Sequence, residues 1–198
     1  FERKASSIMF QAGREVLDLP EYHHVSRTAI MGEAGRKVYD ALEEDLVAEL
    51  GGGTISVPSA MVKLLRLQQL TGGSLAPDNG PPEIVDTAKR DLLAELLADV
   101  GDEPVVIFAR FTADMDAIRG ACAQNRIECL EHSGRDHAGL PAWQRGLGQA
   151  LAVQIQAGGE GIDLTRAALY IYYSKGFSLG DYTQSLARTH RPGQKRPV

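Results

Sequence analysis

The chain has 198 residues, 43% of them hydrophobic and 24% charged, with a net charge of −5. That is enough for one good-sized domain, or a domain with an appendage, of globular composition. The acidic balance excludes a protein that coats nucleic acid through bulk charge, and no apolar run reaches the roughly 18 residues of a membrane helix.

The opening FERKASSIMF lacks the apolar core and small-residue cleavage site of a signal peptide, and it begins without Met, which suggests an excised fragment. VSRTAIM, Val25 to Met31, alternates loosely, as a strand would. Glu33 to Leu50 is predicted as a helix: Val38, Leu42, Leu46, Val47 and Leu50 recur at helical spacing, and Gly51-Gly52-Gly53 ends it. Ser59 caps a second helix, Ala60 to Leu70, with Met61, Leu64, Leu65 and Leu67 as its apolar set. TGGSLAPDNGPP, Thr71 to Pro82, is dense in Gly and Pro and reads as a loop. It divides a helical segment, residues 1–82, from a second unit, residues 83–198.

In the second unit, Ile84 to Val100 has the apolar spacing of an amphipathic helix. VVIFA, Val105 to Ala109, is a fully apolar strand, and Thr112 caps a helix running to about Asn125. Ile127 to Glu131 is a short strand, Gly139 to Gly148 a weak helix, and ALAVQI, Ala150 to Ile155, a buried strand. Ala167 to Tyr173 is a further strand and Asp181 to about His190 a helix. Apolar strands alternating with helices predict an α/β fold: a parallel sheet with helices on both faces, whose strand-end loops share one edge. Trp143 is expected to pack.

The cysteines, Cys122 and Cys129, do not form CxxC and read as buried reduced thiols, which fits an intracellular, cytoplasmic setting. His23 and His24 read as surface or edge residues. His132 and His137 have no Cys or Asp at metal-ligand spacing, so no bound metal is expected.

Two stretches carry chemistry. AGGEGIDLT follows a buried strand, yet GxxxxGK[ST] occurs nowhere, and the dinucleotide fingerprint fails because Leu164 stands at the third glycine position. Asp163 either accepts a hydroxyl from a ribose or caps a short helix. The second stretch is QSLARTHRPGQ, Gln184 to Gln194. From Arg166 onward stand six lysines and arginines and one aspartate, a net +5 against −10 for the preceding residues, which suggests a local anion site. Arg188 and Arg191 share a helix face with Gln184. They either favour the helix dipole in the last turn or present two permanent charges to a phosphoryl group.

Together these stretches resemble motifs V and VI of superfamily 2 helicases, most closely the Swi/Snf-type branch. Gln184, Arg188, His190, Arg191, Gly193 and Gln194 match motif VI in full. VVIFARF resembles motif IV, the first strand of the second RecA-like lobe, and KLLRLQQLTGG the segment that precedes it. The resemblance implies a RecA-like C-terminal lobe of an ATP-dependent DNA translocase. It implies that Arg188 and Arg191 are arginine fingers for ATP, that Gln184 senses the phosphate, and that Gly161 and Asp163 touch the nucleotide. Arg110, Phe111, Ser133 and Gly134 then face a nucleic-acid backbone. The implied partners are double-stranded DNA and an N-terminal RecA-like lobe that binds most of the ATP with Mg²⁺.

Departures from the family pattern accompany the match. Gln154, Ile155 and Gln156 stand where a Ser/Thr pair is usual, and Ser174 to Phe177 replace Asp-Pro-Asp-Trp, keeping only the aromatic. The chain carries no Walker A lysine or Walker B acidic pair, so it reads as a second lobe that hydrolyses ATP negligibly when alone. A non-catalytic binding module of the same fold and an RNA helicase lobe are the competing readings.

Overall fold

The computed structural model describes residues 17–44, 47–50, 53–56, 58–157 and 162–198. Helix α1, Glu33–Glu44, is shorter than its periodicity predicts. Beyond it the chain is extended: β1, Val47–Leu50, pairs antiparallel with β2, Gly53–Ser56, in the register Val47↔Ser56 to Leu50↔Gly53. Two features favour a hairpin over a longer helix. Glycine is poor in a helix interior, and the hairpin carries Ile55 into a core with Leu42, Leu70 and Leu75. Val25 to Met31 has no ladder partner among the described residues, and Val25 and Ile30 are exposed, so alternation alone does not make a strand there.

Helix α2, Ala60–Thr71, starts as predicted, with Ser59 Oγ accepting the Val62 N–H at 3.3 Å. Its packing differs from the expectation. Met61 and Leu64 are exposed, and Leu70 is the side chain fully buried. A short ladder joins β3, Ser74–Leu75, to β4, Glu83–Ile84. Ile84 is therefore not part of the next helix, α3, Ala88–Ala98.

The sheet comprises β5, Val105–Ala109, β6, Cys129–His132, β7, Ala150–Gln154, and β8, Leu169–Tyr172. All pairings are parallel, in the order β6-β7-β5-β8. Helices α4, Thr112–Gln124, α5, Gly139–Gln144, and α6, Leu179–Thr189, complete the unit. In β5, Val105, Ile107 and Ala109 pack with Leu93 and Leu97 of α3 and Met115, Ile118 and Cys122 of α4. Val106 and Phe108 point the other way, to Leu140 and Trp143 of α5 and to Leu164 and Ala167. A strand apolar at every position thus serves two cores, and helices cover both faces, as the α/β reading predicts. Trp143 is fully buried and packs as expected.

Thr112 is the first residue of α4 and not its cap. Asp114, two residues on, reaches back to accept the Phe111 N–H at 3.1 Å. This carboxyl is nearly inaccessible and also accepts from the Ser174 hydroxyl. Burial pushes its pKa above the ordinary carboxylate range. The Tyr173 hydroxyl donates to the Gly72 carbonyl at 2.8 Å, tying the small N-terminal core to the sheet. No helix among the described residues is long and apolar enough to cross a membrane.

Candidate nucleotide and nucleic-acid sites

The predicted site residues fall into two groups. The first lies where β5, β6 and β7 end, since parallel strands deliver their following loops to one edge. Gln154, the last residue of β7, connects two of these loops. Its Nε2 donates to the Arg110 carbonyl and its Oε1 accepts the Gly134 N–H, each at 3.1 Å. The neighbouring Ile155 packs against the apolar core beside β7, and its N–H donates to the Ala109 carbonyl at 2.9 Å. The sequence shows that a Ser/Thr pair is missing here, but not that glutamine spans the gap.

Ser133 is buried and faces inward. Its hydroxyl donates to Glu131 Oε1 at 2.5 Å, and its N–H donates to the Asp136 carbonyl at 2.8 Å. Glu131, 4% exposed, binds Arg135 through two bonds of 2.7 and 3.0 Å and lies 3.4 Å from Arg119. Burial raises the Glu131 pKa, but Arg135, Ser133 and Arg119 outweigh it and hold the carboxyl below its usual range. Arg135 also reaches Asp116 at 2.7 Å. Gly134 stands free of side-chain bulk beside Gln154.

Arg110 and Phe111 follow β5. The Arg110 N–H donates to Ser174 Oγ at 2.8 Å, and its guanidinium lies near the Phe111 and Phe177 rings, 5.3 and 6.0 Å away.

The second group surrounds the end of α6. Ser178 Oγ caps this helix by accepting the Asp181 N–H at 3.1 Å, and Tyr172 Oη meets Ser185 Oγ at 2.7 Å, fixing α6 on β8. Arg188 is half-buried in the last turn, and its Nε is a buried donor with no partner among the described residues. Among the described residues the one hydrogen-bond acceptor of Arg191 is the Ile162 carbonyl, at 3.5 Å. Gln184 is exposed one turn before Arg188. Asp163 accepts from the Thr165 N–H at 2.9 Å and its hydroxyl at 2.8 Å, so it holds a turn. The Thr165 N–H, working against partial burial and helped by the Thr165 hydroxyl and the Arg191 charge, keeps its pKa below the carboxylate range. Gly161 lies outside the described residues.

The basic tail is not one patch. Arg166 donates to the carbonyls of Trp143 (2.6 Å), Leu147, Gly146 and Gly148 (2.9 Å) and lies over the Trp143 ring. Arg196 pairs with Glu103 and donates to the Arg166 carbonyl. Lys175 sits over the Tyr172 and Tyr182 rings at 4.8 and 4.4 Å. Gln194 is buried: it donates to the Ala167 carbonyl at 2.6 Å and accepts from the Lys195 and Arg196 N–H groups. The motif VI positions therefore divide, with Gln194 holding the fold while Arg188 and Arg191 keep unused donors. Among the described residues no three His, Cys, Asp or Glu gather as a metal-binding group.

The chain matches the family described as the helicase conserved C-terminal domain over residues 88–193, more than half its length. The protein p41 of Acyrthosiphon pisum secondary endosymbiont phage 1 is 24% identical over 183 residues, which is 89% of this chain and 38% of that protein. The chain therefore spans well under half of that relative. The crystal structure of the C-terminal part of the Fun30 ATPase domain superposes with a TM-score of 0.64 at 18% identity, covering 91% of this chain and 84% of the other. The ADP-bound RNA-helicase Prp28 from Chaetomium thermophilum gives a TM-score of 0.47 at 20% identity over 54% of this chain and 28% of that one, a superposition too partial to bear on the fold.

Proposed function

Because the chain belongs to the helicase conserved C-terminal domain family, we propose that it is the second RecA-like lobe of an ATP-dependent DNA translocase of the Swi/Snf type. In this reading Arg188 and Arg191 stabilise the charge that develops on the transferred γ-phosphoryl group. The observation that carries it is the buried Arg188 Nε, without a partner among the described residues, near an Arg191 that makes one long hydrogen bond among them. Buried donors are costly to leave unpaired, so an unsatisfied guanidinium at a fixed place is matched to an absent acceptor. Arg166 and Arg196, of the same basic tail, instead use both terminal nitrogens on partners within the chain.

ATP and Mg²⁺ are then held mainly by a first lobe. This chain adds two permanent cations whose forks match phosphoryl oxygens, with Gln184 reading the same phosphate from the preceding turn. Asp163 and Gly161 lie along the nucleotide. The edge formed by Arg110, Phe111, Ser133 and Gly134 tracks the backbone of duplex DNA. Ser133 contributes by ordering this loop, since its hydroxyl is turned to Glu131 and its N–H to the Asp136 carbonyl.

A second reading, a binding module that kept the fold without the chemistry, draws on Ile155, which packs inward where a polar contact is usual. ATP turnover by the intact protein decides between them. Turnover stimulated by duplex DNA and abolished in Arg188→Ala and Arg191→Ala supports the translocase. Binding without turnover supports the module, and stimulation by RNA alone would assign the lobe to an RNA helicase.

A further inference from the structure

One side chain of the N-terminal unit reaches the strand edge. Gln68 Oε1 accepts from Arg110 Nη1 at 2.6 Å, while Gln68 Nε2 donates to the Lys175 carbonyl. The Arg110 guanidinium is thus held by a neutral amide and lies near two aromatic rings, one of which, Phe177, is 69% exposed.

The choice of a neutral partner is informative. Other arginines of this fold are held by carboxylates: Arg66 by Asp78, and Arg119 and Arg135 by Asp116 and Glu131. Among the described residues no carboxylate lies within ion-pair distance of Arg110. Lys175 next to it rests on two tyrosine faces. An amide or a ring face orients a cation without cancelling its charge. A fixed, uncancelled cation at this edge suits a phosphodiester, whose binding depends on charge that remains available.

We propose that Gln68 is a positioning residue for nucleic-acid binding: it holds Arg110 in place, with its charge intact, toward a backbone phosphate. The proposal rests on the reading that the strand edge tracks nucleic acid. It makes helix α2, forty-two residues earlier in the chain, part of the nucleic-acid surface.

The test is the affinity of the intact protein for a short fluorescein-labelled duplex DNA, measured across a salt series. Arg110→Ala is expected to flatten the log–log salt slope by about one. Gln68→Glu keeps an acceptor for Arg110 but supplies the cancelling charge. It is expected to flatten the slope nearly as much, with no loss of thermal midpoint relative to Gln68→Leu, and to add little in the Arg110→Ala background. Gln68→Leu frees Arg110 and is expected to weaken binding several-fold with the slope kept. If Arg110→Ala flattens the slope and Gln68→Glu does not, the proposal is overturned and Gln68 is only a staple between α2 and the sheet. It is overturned equally if Gln68→Glu has its full effect in the absence of Arg110. If Arg110→Ala itself changes nothing, the reading of the edge falls, and the proposal with it.

Discussion

The strand edge and the end of α6 are both built from polar groups, and they are built in opposite ways. At the edge, Gln154 joins two loops, Ser133 turns to Glu131, and Glu131 gathers two arginines. Apart from the buried His132 Nδ1, the groups that join these loops have partners inside the chain. At the helix end, among the described residues, Arg188 keeps a buried donor unpaired and Arg191 has one long hydrogen bond. A satisfied network stabilises and orders the backbone. An unsatisfied one is tolerated where an external partner completes it. The network of Gln154, Ser133 and Glu131 is therefore expected to register mutation as stability, and the helix end as activity.

The widest separation between the two is expected for Arg188. In the intact protein Arg188→Ala is expected to lower ATP turnover about a thousandfold, the scale of an arginine finger. Arg188→Met, which fills the site without an orphan donor, is expected to match that loss while leaving the denaturation midpoint equal or higher. A fall in midpoint that parallels the fall in turnover would erase the contrast. Arg166 gives the opposite result. Arg166→Ala strips four carbonyls of their donor and is expected to cost about 2–3 kcal/mol in chemical denaturation, with turnover per folded molecule retained.

Glu131→Gln is expected to cost about 1–2 kcal/mol near neutral pH, since its arginine partners are half-exposed and water recovers part of the loss. The sign with pH follows from its lowered pKa. The stabilisation is present above the ordinary carboxylate range and is lost as pH falls through the folded-state value. Wild type should accordingly lose more stability on acidification than Glu131→Gln, and superimposable pH–stability curves would refute the assignment. Smallest is Gln154→Ala, about 1 kcal/mol of stability. It should also speed hydrogen exchange at the Gly134 amide, which a loop held by other contacts would not show.

Much of this architecture was legible. VVIFA forms β5, Ser59 caps α2, and the alternation of strands and helices gives the parallel sheet. Legibility failed where backbone partners are chosen by tertiary packing. Leu42, Val47 and Leu50 keep helical spacing, yet β1 and β2 form a hairpin because Ile55 completes a core that one helix cannot close. At the candidate sites the residue types were readable but their engagement was not. Arg166 and Arg196 belong by composition to the same basic tail as Arg188, but carbonyls from residues 143–148 and Glu103 occupy them. Gln68 carries no local signal at all, because what defines it is Arg110, met only after folding.

Residues 20–23 are bonded to the C-terminal end of the chain. The Pro20 carbonyl lies 2.8 Å from His190 Nε2, the Val198 N–H donates to Glu21 and the His23 N–H donates to Val198. His190 stands between Arg188 and Arg191 in sequence. Of the three contacts, one falls on the residue that joins the end of α6 to Arg191, and the other two fall on Val198.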